Sequence, residues 1–460
     1  MKPATWAPRL AYLYHRSPTF LLAAWFFLFL LTGTILLALP FSQHPEGPGV
    51  GVLDALFTAT SAFCVTGLVM VDTQEAFSGF GQLVILVLME LGGAGIMTFA
   101  SLAFSMLGRR LSMNSQAALT DTLFQNDVAR EFASILHDVL KVILFIQLAG
   151  VAVLYFAIVS HPPAPGAGHP HPLWSALFHS VSAFCNAGFS IYRNNLTAVA
   201  DNGLFLAATA ALVILGGLGH GVLVELFRLP RLLAHGRKKP HMLTFNSRVT
   251  LLMTAALLAT GALALAASDL VFNNDGATTV GDSVFHSVIA RTAGFNSAPM
   301  GSLPLSSCLI LCMLMFVGGS PGSCAGGIKT TSLAIWFARI ASNLRHDNDT
   351  NILGYTIARD LVSRSRIIIA LSILWIISGV FVLSIAHPEA RLDVLLFEQI
   401  SALATVGLSM DFTPHLNWFS QIWIIISMIL GKFGPLTVAL LMVPQATCSI
   451  RRPETRLMIG

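Results

Sequence analysis

Charge is what this chain has least of. Asp, Glu, Lys and Arg make up 10% of the 460 residues, against 55% hydrophobic residues and a mean hydropathy of +0.75. A soluble globular domain carries about 25% charged residues, so that class is excluded. Apolar runs of roughly 20 residues, enough to cross a hydrocarbon core as helix, recur along the chain, as in FLLAAWFFLFLLTGTILLALP from Phe20 to Pro40. That first run is too long for a cleaved signal peptide and lacks a small-residue cleavage site.

Other absences narrow the function. The six cysteines (Cys64, Cys185, Cys308, Cys312, Cys324, Cys448) show no CxxC spacing and read as small buried hydrophobes rather than a metal or disulfide framework. The chain has no HExxH, Ser/His or Asp/Asp constellation, and GGLGHG at 216–221 fails the GxGxxG pattern and lies in an apolar helix rather than after a strand, so a membrane enzyme has nothing to carry it. No helix carries the spaced arginines of a voltage sensor. The three histidines of HPPAPGAGHPHP (161–172) lie in a Pro-rich loop without fixed ligand geometry.

The few basic residues are unevenly placed. Of 26 Lys and Arg, all but Arg193, Arg291, Arg391, Lys329 and Lys432 fall at the two termini or near 109–141, 228–248 and 339–366. The positive-inside rule makes those segments and both termini cytoplasmic, and the loops near 41–80, 159–202, 268–303 and 386–418 external. Topology thus accounts for basic stretches such as RKKP (237–240) without nucleic acid.

What the chain does have is a fourfold repeat. FTATSAFCVTGL (57–68), FHSVSAFCNAGF (178–189), FHSVIARTAGF (285–295) and FEQISALATVGL (397–408) align on Gly67, Gly188, Gly294 and Gly407, which are 121, 106 and 113 residues apart. A second signal keeps step: GGAG (92–95), GGLG (216–219), GGSP (318–321) and GKFG (431–434) begin 25, 28, 24 and 24 residues after those glycines. Each unit reads as an apolar helix, a short amphiphilic helix of about ten residues, a glycine turn and another apolar helix. Ten helical residues cannot span a bilayer, so the short piece is read as re-entrant. Asp54, Ser175, Asp282 and Asp393, 12 to 14 residues before the glycines, are its expected N-caps. The predicted fold is an all-α integral membrane protein of eight spanning helices and four re-entrant pore helices around a pseudo-fourfold pore. Its repeats cover 17–110, 131–231, 246–345 and 362–450, with 451–460 a cytoplasmic tail.

Glycine at four matching bends suits a pathway in which backbone carbonyls replace the hydration shell of potassium, because successive carbonyls face one axis only where the chain visits positive φ. The C-terminal ends of the short helices add negative dipole ends. Acidic Asp72 and Asp411 near the external mouth either concentrate cations or are ordinary loop acids.

TSAFCVTGL, SAFCNAGF, RTAGFNS, ATVGLSMDF, GGSPGSCAGGIKTT and GKFGPLTVALL, in this order over nearly the whole chain, resemble the Trk/Ktr/HKT superfamily of potassium transporters, and its Ktr-type membrane subunit in particular. The resemblance implies potassium as the transported ion, Na+ as a candidate activating or coupled ion (symport), no organic cofactor and no enzymatic activity. It also implies a homodimer in the bacterial plasma membrane, with a cytosolic nucleotide-binding regulatory ring docked on the basic loops Arg228 to Lys239 and Arg339 to Arg366 and the tail RRPETR. The filter positions would be Val65, Thr66 and Gly67; Asn186, Ala187 and Gly188; Thr292, Ala293 and Gly294; and Thr405, Val406 and Gly407. Sodium-conducting relatives tend to carry serine for the first filter glycine, so Gly67 favours potassium, with sodium or mixed transport as the alternative. Trk-type subunits have two further N-terminal helices; about 19 residues precede the first span here, which fits the Ktr type.

GGSPGSCAGGIKTT (318–331) places five glycines and a proline in a predicted span, a density that breaks a helix. In the resembling family this segment is an intramembrane gate, here Gly318, Gly319, Gly322, Ser323, Gly326 and Gly327. Lys329 either belongs to it or snorkels towards the cytosol. Lys432 holds the second position of the fourth quartet, where the family usually has arginine, at a depth costing roughly 2.5–3.5 kcal/mol for a lysine. It is expected to tether the loop through its carbonyls. Glu90 either pairs with Lys432 or faces a neighbouring helix uncharged.

Overall fold

The computed structural model describes residues 18–93, 132–163, 170–234, 243–272 and 280–434. Cys448, RKKP, the 109–130 loop and the RRPETR tail lie outside these residues, as do parts of all four predicted repeats.

The described chain is built from helices α1 (Pro18–Ala38), α2 (Val52–Cys64), α3 (Gly79–Gly93), α4 (Phe132–Ser160), α5 (Pro172–Cys185), α6 (Gly203–Leu218), α7 (His220–Ala234), α8 (Phe245–Phe272), α9 (Val280–Ile289), α10 (Leu305–Phe316), α11 (Thr330–Leu344), α12 (Arg359–Ala386), α13 (Leu392–Ala404) and α14 (Trp418–Phe433). Among the described residues the all-α expectation has one exception, a hairpin of two-residue strands pairing Asn351–Ile352 with Tyr355–Thr356 between α11 and α12. Among the described residues, α4, α8 and α12 contain stretches long and apolar enough to cross a membrane, and α6 with α7 adds a fourth as a pair bent by 108°. Their outer faces are apolar: Leu144, Phe145, Phe156, Leu263, Leu270 and Phe381 are all exposed. Inward faces of the short helices instead carry buried Thr60, Ser61, Ser182 and Ser401. A water-soluble fold would show the opposite arrangement, and this one matches a protein solvated by lipid.

The helices fall into four successive groups: α1–α3, α4–α7, α8–α11 and α12–α14, called units 1 to 4 below. Within each unit the leading helix packs on the short one (α1 on α2, α4 on α5, α8 on α9, α12 on α13). Between units, the helix that follows a short helix packs on the next short helix: α3 on α5, α6 on α9, α10 on α13 and α14 on α2. The last contact returns to the first unit, so the series closes on itself.

The expected N-caps are corrected. Gly51 caps α2, and Asp54 lies in the first turn, its Oδ2 accepting from Gly51 N at 3.3 Å, the far arm of a capping box. His171 caps α5 by accepting from Leu173 N at 3.3 Å, while Ser175 lies inside the helix. Asp282 and Asp393 are first-turn acids, Asp393 ion-paired to the N-cap Arg391 at 2.5 Å. Carboxylates in the first turn still complement the helix dipole, which is why the sequence signal was real but displaced.

Candidate functional site

Each short helix ends in a residue of left-handed conformation two positions before the aligned glycine: Val65 (φ 59°), Asn186 (59°), Thr292 (65°) and Thr405 (51°). The glycines follow at φ 94° (Gly67), 71° (Gly188), 70° (Gly294) and 96° (Gly407). Between them, Thr66, Ala187, Ala293 and Val406 keep negative φ. Left-handed Val and Thr are outliers that persist only where the surroundings over-determine them. Here the next amide turns back onto the helix, Thr66 N to Ser61 O at 2.7 Å, Ala187 N to Ser182 O at 2.8 Å and Val406 N to Ser401 O at 2.8 Å. Ser61 and Ser401 also accept from the glycine amides themselves, at 3.0 Å (Gly67) and 3.1 Å (Gly407).

The four bends meet. A Cβ at Gly67 would stand 2.5 Å from Ala187 O, one at Gly188 2.7 Å from Ala293 O, and one at Gly294 2.5 Å from Val406 O; one at Gly407 would run into Thr66 O. The neighbours therefore follow the order 67, 188, 294, 407 and back to 67. No side chain fits between them. Around this ring the hydroxyls of Thr66, Thr292 and Thr405 are buried without a hydrogen-bond partner.

The glycine-rich segment leaves α10 after Phe316 and runs between unit 2 and unit 4. At its base Val317 pairs with Ile328 as a parallel bridge, and Gly318 N donates to Ile328 O at 3.0 Å. Towards unit 2, Ser320 N donates to Gly217 O (3.0 Å), Cys324 N to Gly216 O (3.3 Å), and His220 N to Gly322 O (3.0 Å). Towards unit 4, Gly326 packs on the Thr405 side chain and Gly327 on Ala404, with a Cβ at Gly327 3.2 Å from Ala404 O. Lys432 Nζ donates to Cys324 O at 3.0 Å, and Lys329 Nζ to Ala325 O at 2.6 Å. Lys329 is part of the loop's own bonding rather than a side chain extended to solvent. Of the expected gate residues, Ser323 holds a turn by donating to Ser320 O at 2.7 Å, and Gly319 faces Ala325 and Gly217.

Glu90 does not pair with Lys432. Its Oε2 accepts from Gln147 Nε2 at 2.8 Å and from Cys185 Sγ at 3.4 Å. Asp72 caps the one-turn helix Thr73–Ala76, accepting from Gln74 N at 2.9 Å, and reaches Asn194 N at 3.3 Å; burial raises its carboxyl above the ordinary range. Its role is that of a cap, not of a solvated acid. Two residues escaped the sequence reading. Asn195 Nδ2 donates to Gly188 O (3.2 Å) and Gly294 O (3.5 Å), bridging two bends. Arg291, buried, donates to Gly318 O at 3.2 Å. Asn195 gave no signal because it lies outside the aligned segment. Arg291 did give one: it stands where the other units have Cys64, Cys185 and Ala404.

A closed ring of main-chain bends inside a bundle of helices with apolar outer faces, with a loop bonded to Lys432 packed against one bend, suits a membrane transport protein. The chain belongs to the TrkH family of cation transport proteins, whose family description, "TrkH: Cation transport protein", matches residues 27–450. It is 32% identical to the potassium/sodium uptake protein NtpJ of Enterococcus hirae, over 96% of this chain and 97% of that one. It is 34% identical to the Ktr system potassium uptake protein B of Vibrio alginolyticus, over 94% and 92%. The protein of the same name from Bacillus subtilis is 32% identical over 96% and 97%. The fold is that of the crystal structure of the potassium transporter TrkH from Vibrio parahaemolyticus, with a TM-score of 0.67 and 18% identity over 91% of this chain and 84% of that one.

Proposed function

We propose that this chain is the ion-conducting membrane subunit of a Ktr-type potassium uptake system. The observation that carries this reading is the cyclic approach of Gly67, Gly188, Gly294 and Gly407 to the carbonyls of Ala187, Ala293, Val406 and Thr66. Alternating left-handed and negative-φ residues turn successive carbonyls to one side, and a ring of such carbonyls substitutes for the water around potassium. The unpartnered hydroxyls of Thr66, Thr292 and Thr405 suit the same task. The closed order of helix contacts supports eight spanning helices and four re-entrant helices in four repeats, 17–110, 131–231, 246–345 and 362–450, around a pseudo-fourfold pore.

The segment from Gly318 to Lys329 is the gate. It crosses from Gly216–His220 to Thr405 and Lys432, directly against one of the bends, and must shift for an ion to pass. Lys432 holds it in place and adds a charge that repels an approaching cation. By the family resemblance the subunit pairs with a second copy in the plasma membrane, with cytoplasmic termini, and binds a cytosolic nucleotide-binding ring through its basic loops. A second reading, sodium or mixed transport with Na+ as a coupled or activating ion, draws on the potassium/sodium name of the E. hirae relative.

The test is Gly67→Ser, measured as initial K+ and Na+ uptake by transport-deficient cells. A serine at φ 94°, 2.5 Å from Ala187 O, should displace the bend and lower discrimination between the two ions. Intact discrimination in the folded variant overturns the carbonyl-ring reading.

A further inference from the structure

Units 2 and 4 share a feature that units 1 and 3 lack. Nine residues before the ring glycine and two residues after it, each carries a matched polar pair: His179 and Ser190 around Gly188, Glu398 and Ser409 around Gly407. In unit 2, His179 is fully buried on α5. Its Nδ1 lies 2.8 Å from Ser175 O, which makes that nitrogen the donor, and its Nε2 meets Ser190 Oγ at 2.9 Å. Tyr192 stacks on the imidazole with ring centroids 4.6 Å apart, takes a hydrogen bond from Ser175 Oγ at 2.6 Å, and donates its own N–H to Ser190 Oγ at 3.0 Å.

Unit 4 builds the equivalent with other chemistry. Glu398, also fully buried, accepts from Ser409 Oγ at 2.8 Å and from Thr413 Oγ1. Ser409 Oγ in turn accepts the backbone N–H groups of Phe412 (3.2 Å) and Thr413 (3.3 Å). In both units a polar group on the short helix, behind the bend, grips the chain that leaves the bend.

The corresponding places in the other units make no such bond to the outgoing chain. Nine residues before Gly67 stands Thr58, whose buried hydroxyl has no partner, and two residues after it stands Val69. Unit 3 is one residue shorter before its glycine, so His286, eight residues before Gly294, matches His179 and Glu398 in the aligned segments; it is buried, but its Nε2 has no partner, and Asn296, two residues after the glycine, bonds Ala298 O instead. Because the bends contact one another in the order 67, 188, 294, 407, the two gripped bends face each other across the ring and the two ungripped bends lie between them.

A carboxylate and an imidazole buried in a helix at membrane depth are costly. The helix itself does not need them, since α2 forms with Thr58 in the same place. Hydrogen bonds to the fully buried imidazole and carboxylate are sheltered from water on the helix side and are correspondingly stiff. We propose that His179 and Glu398 are positioning residues for ion discrimination. They hold the outgoing arms of bends 2 and 4 apart, so that the carbonyls of Gly188 and Gly407 cannot close in around the smaller sodium ion, while bends 1 and 3 supply the compliance needed for transit. Neither side chain touches the ion; each acts through its serine. This rests on the carbonyl-ring reading above.

The test uses the full chain in transport-deficient cells, with the ratio of initial K+ to Na+ uptake as the readout, since a merely structural loss lowers both fluxes together. Glu398→Leu and His179→Leu are each expected to lower the ratio about tenfold, the effect of losing one buried hydrogen bond that favours one ion over the other. Ser409→Ala and Ser190→Ala, which remove only a hydroxyl and leave the helices untouched, should lower it in the same direction. Glu398→Gln, whose amide can still bridge the two hydroxyls, should restore most of the ratio, and Thr58→Val should leave it unchanged. The same ratio is read without flux from the thermal protection that KCl and NaCl give the purified protein. An unchanged ratio in both serine variants overturns the proposal, as does an equal fall in Thr58→Val. Gly67→Ser, measured alongside, separates the two ideas. If it alone lowers the ratio, the ring stands and the grip does not; if it too leaves the ratio intact, the ring itself is wrong.

Discussion

Units 1, 2 and 4 use the first glycine of their quartet to seat a helix, whereas unit 3 uses the same position to leave one. Gly92, Gly216 and Gly431 lie inside α3, α6 and α14, and a Cβ at any of them would run into the carbonyl of Phe63, Phe184 or Leu403. Each of those carbonyls lies four residues before its ring glycine, so the three helices approach the three bends in the same way. In unit 3, α10 stops at Phe316, and a Cβ at Gly318 would instead meet Gly326 O within the same loop. Two local residues account for the difference. Pro321 has no N–H to give Val317 O and would clash with it in a continued helix, and Arg291 takes the Gly318 carbonyl. One glycine pattern thus supports either a tight helix seat or an unwound crossing, and its neighbours decide which.

The sharpest way to break this comparison is to add one methyl at equivalent places. Gly216→Ala forces a methyl into Phe184 O and should cost roughly 3 kcal/mol or more, the upper range for overpacking, seen as a large fall in Tm and loss of the monodisperse peak on size exclusion. Gly318→Ala should stay folded and change flux instead, because its clash lies within the loop; equal unfolding of the two would end the distinction. Lys432→Ala comes next. It removes a bond from a charged donor, worth about 1.5–3 kcal/mol, between α14 and Cys324 O. Potassium flux should rise about tenfold, and unchanged or lower flux in a folded protein would refute its role. Gly326→Ala should push the loop off Thr405 and raise flux about fivefold. Combined with Lys432→Ala it should give less than the product of the two effects, since both loosen one element. The smallest effect is expected of Ser320→Ala, which deletes the acceptor for Thr330 Oγ1 at 3.1 Å. A single neutral bond of about 1 kcal/mol at the loop base should raise flux about twofold, and a larger rise than that of Lys432→Ala would reverse the ranking.

Juxtaposition was largely legible in the sequence, because glycine is chemically singular and its spacing survives translation into space: two glycine series in phase marked both the bends and the helix seats. Conformation at the neighbouring positions was not. Val65, Thr292 and Thr405 have no intrinsic leaning towards positive φ, so only the tertiary surroundings disclose that they adopt it. Pairing was legible in part. The charge of Lys432 pointed to a carbonyl partner, but the partner of Glu90 is Gln147 on another helix, a neutral residue that no charge count singles out. Cap positions slipped by a few residues because Asp54 and Asp393 act from the first turn, where the dipole favours them as much as a cap would. The polar grips of His179 and Glu398 were invisible because each requires a serine eleven residues further on, beyond the bend, to be recognised as its counterpart.

The return contact of α14 on α2 bears on how the protein is made. The element that seals the circle is made after units 1 to 3, so a nascent chain inserted only through unit 3 has an unclosed side facing lipid. The first unit must wait for the fourth before its own bend acquires both neighbours. Biosynthesis is thereby arranged so that the circle of bends closes only once the fourth unit has joined the first three.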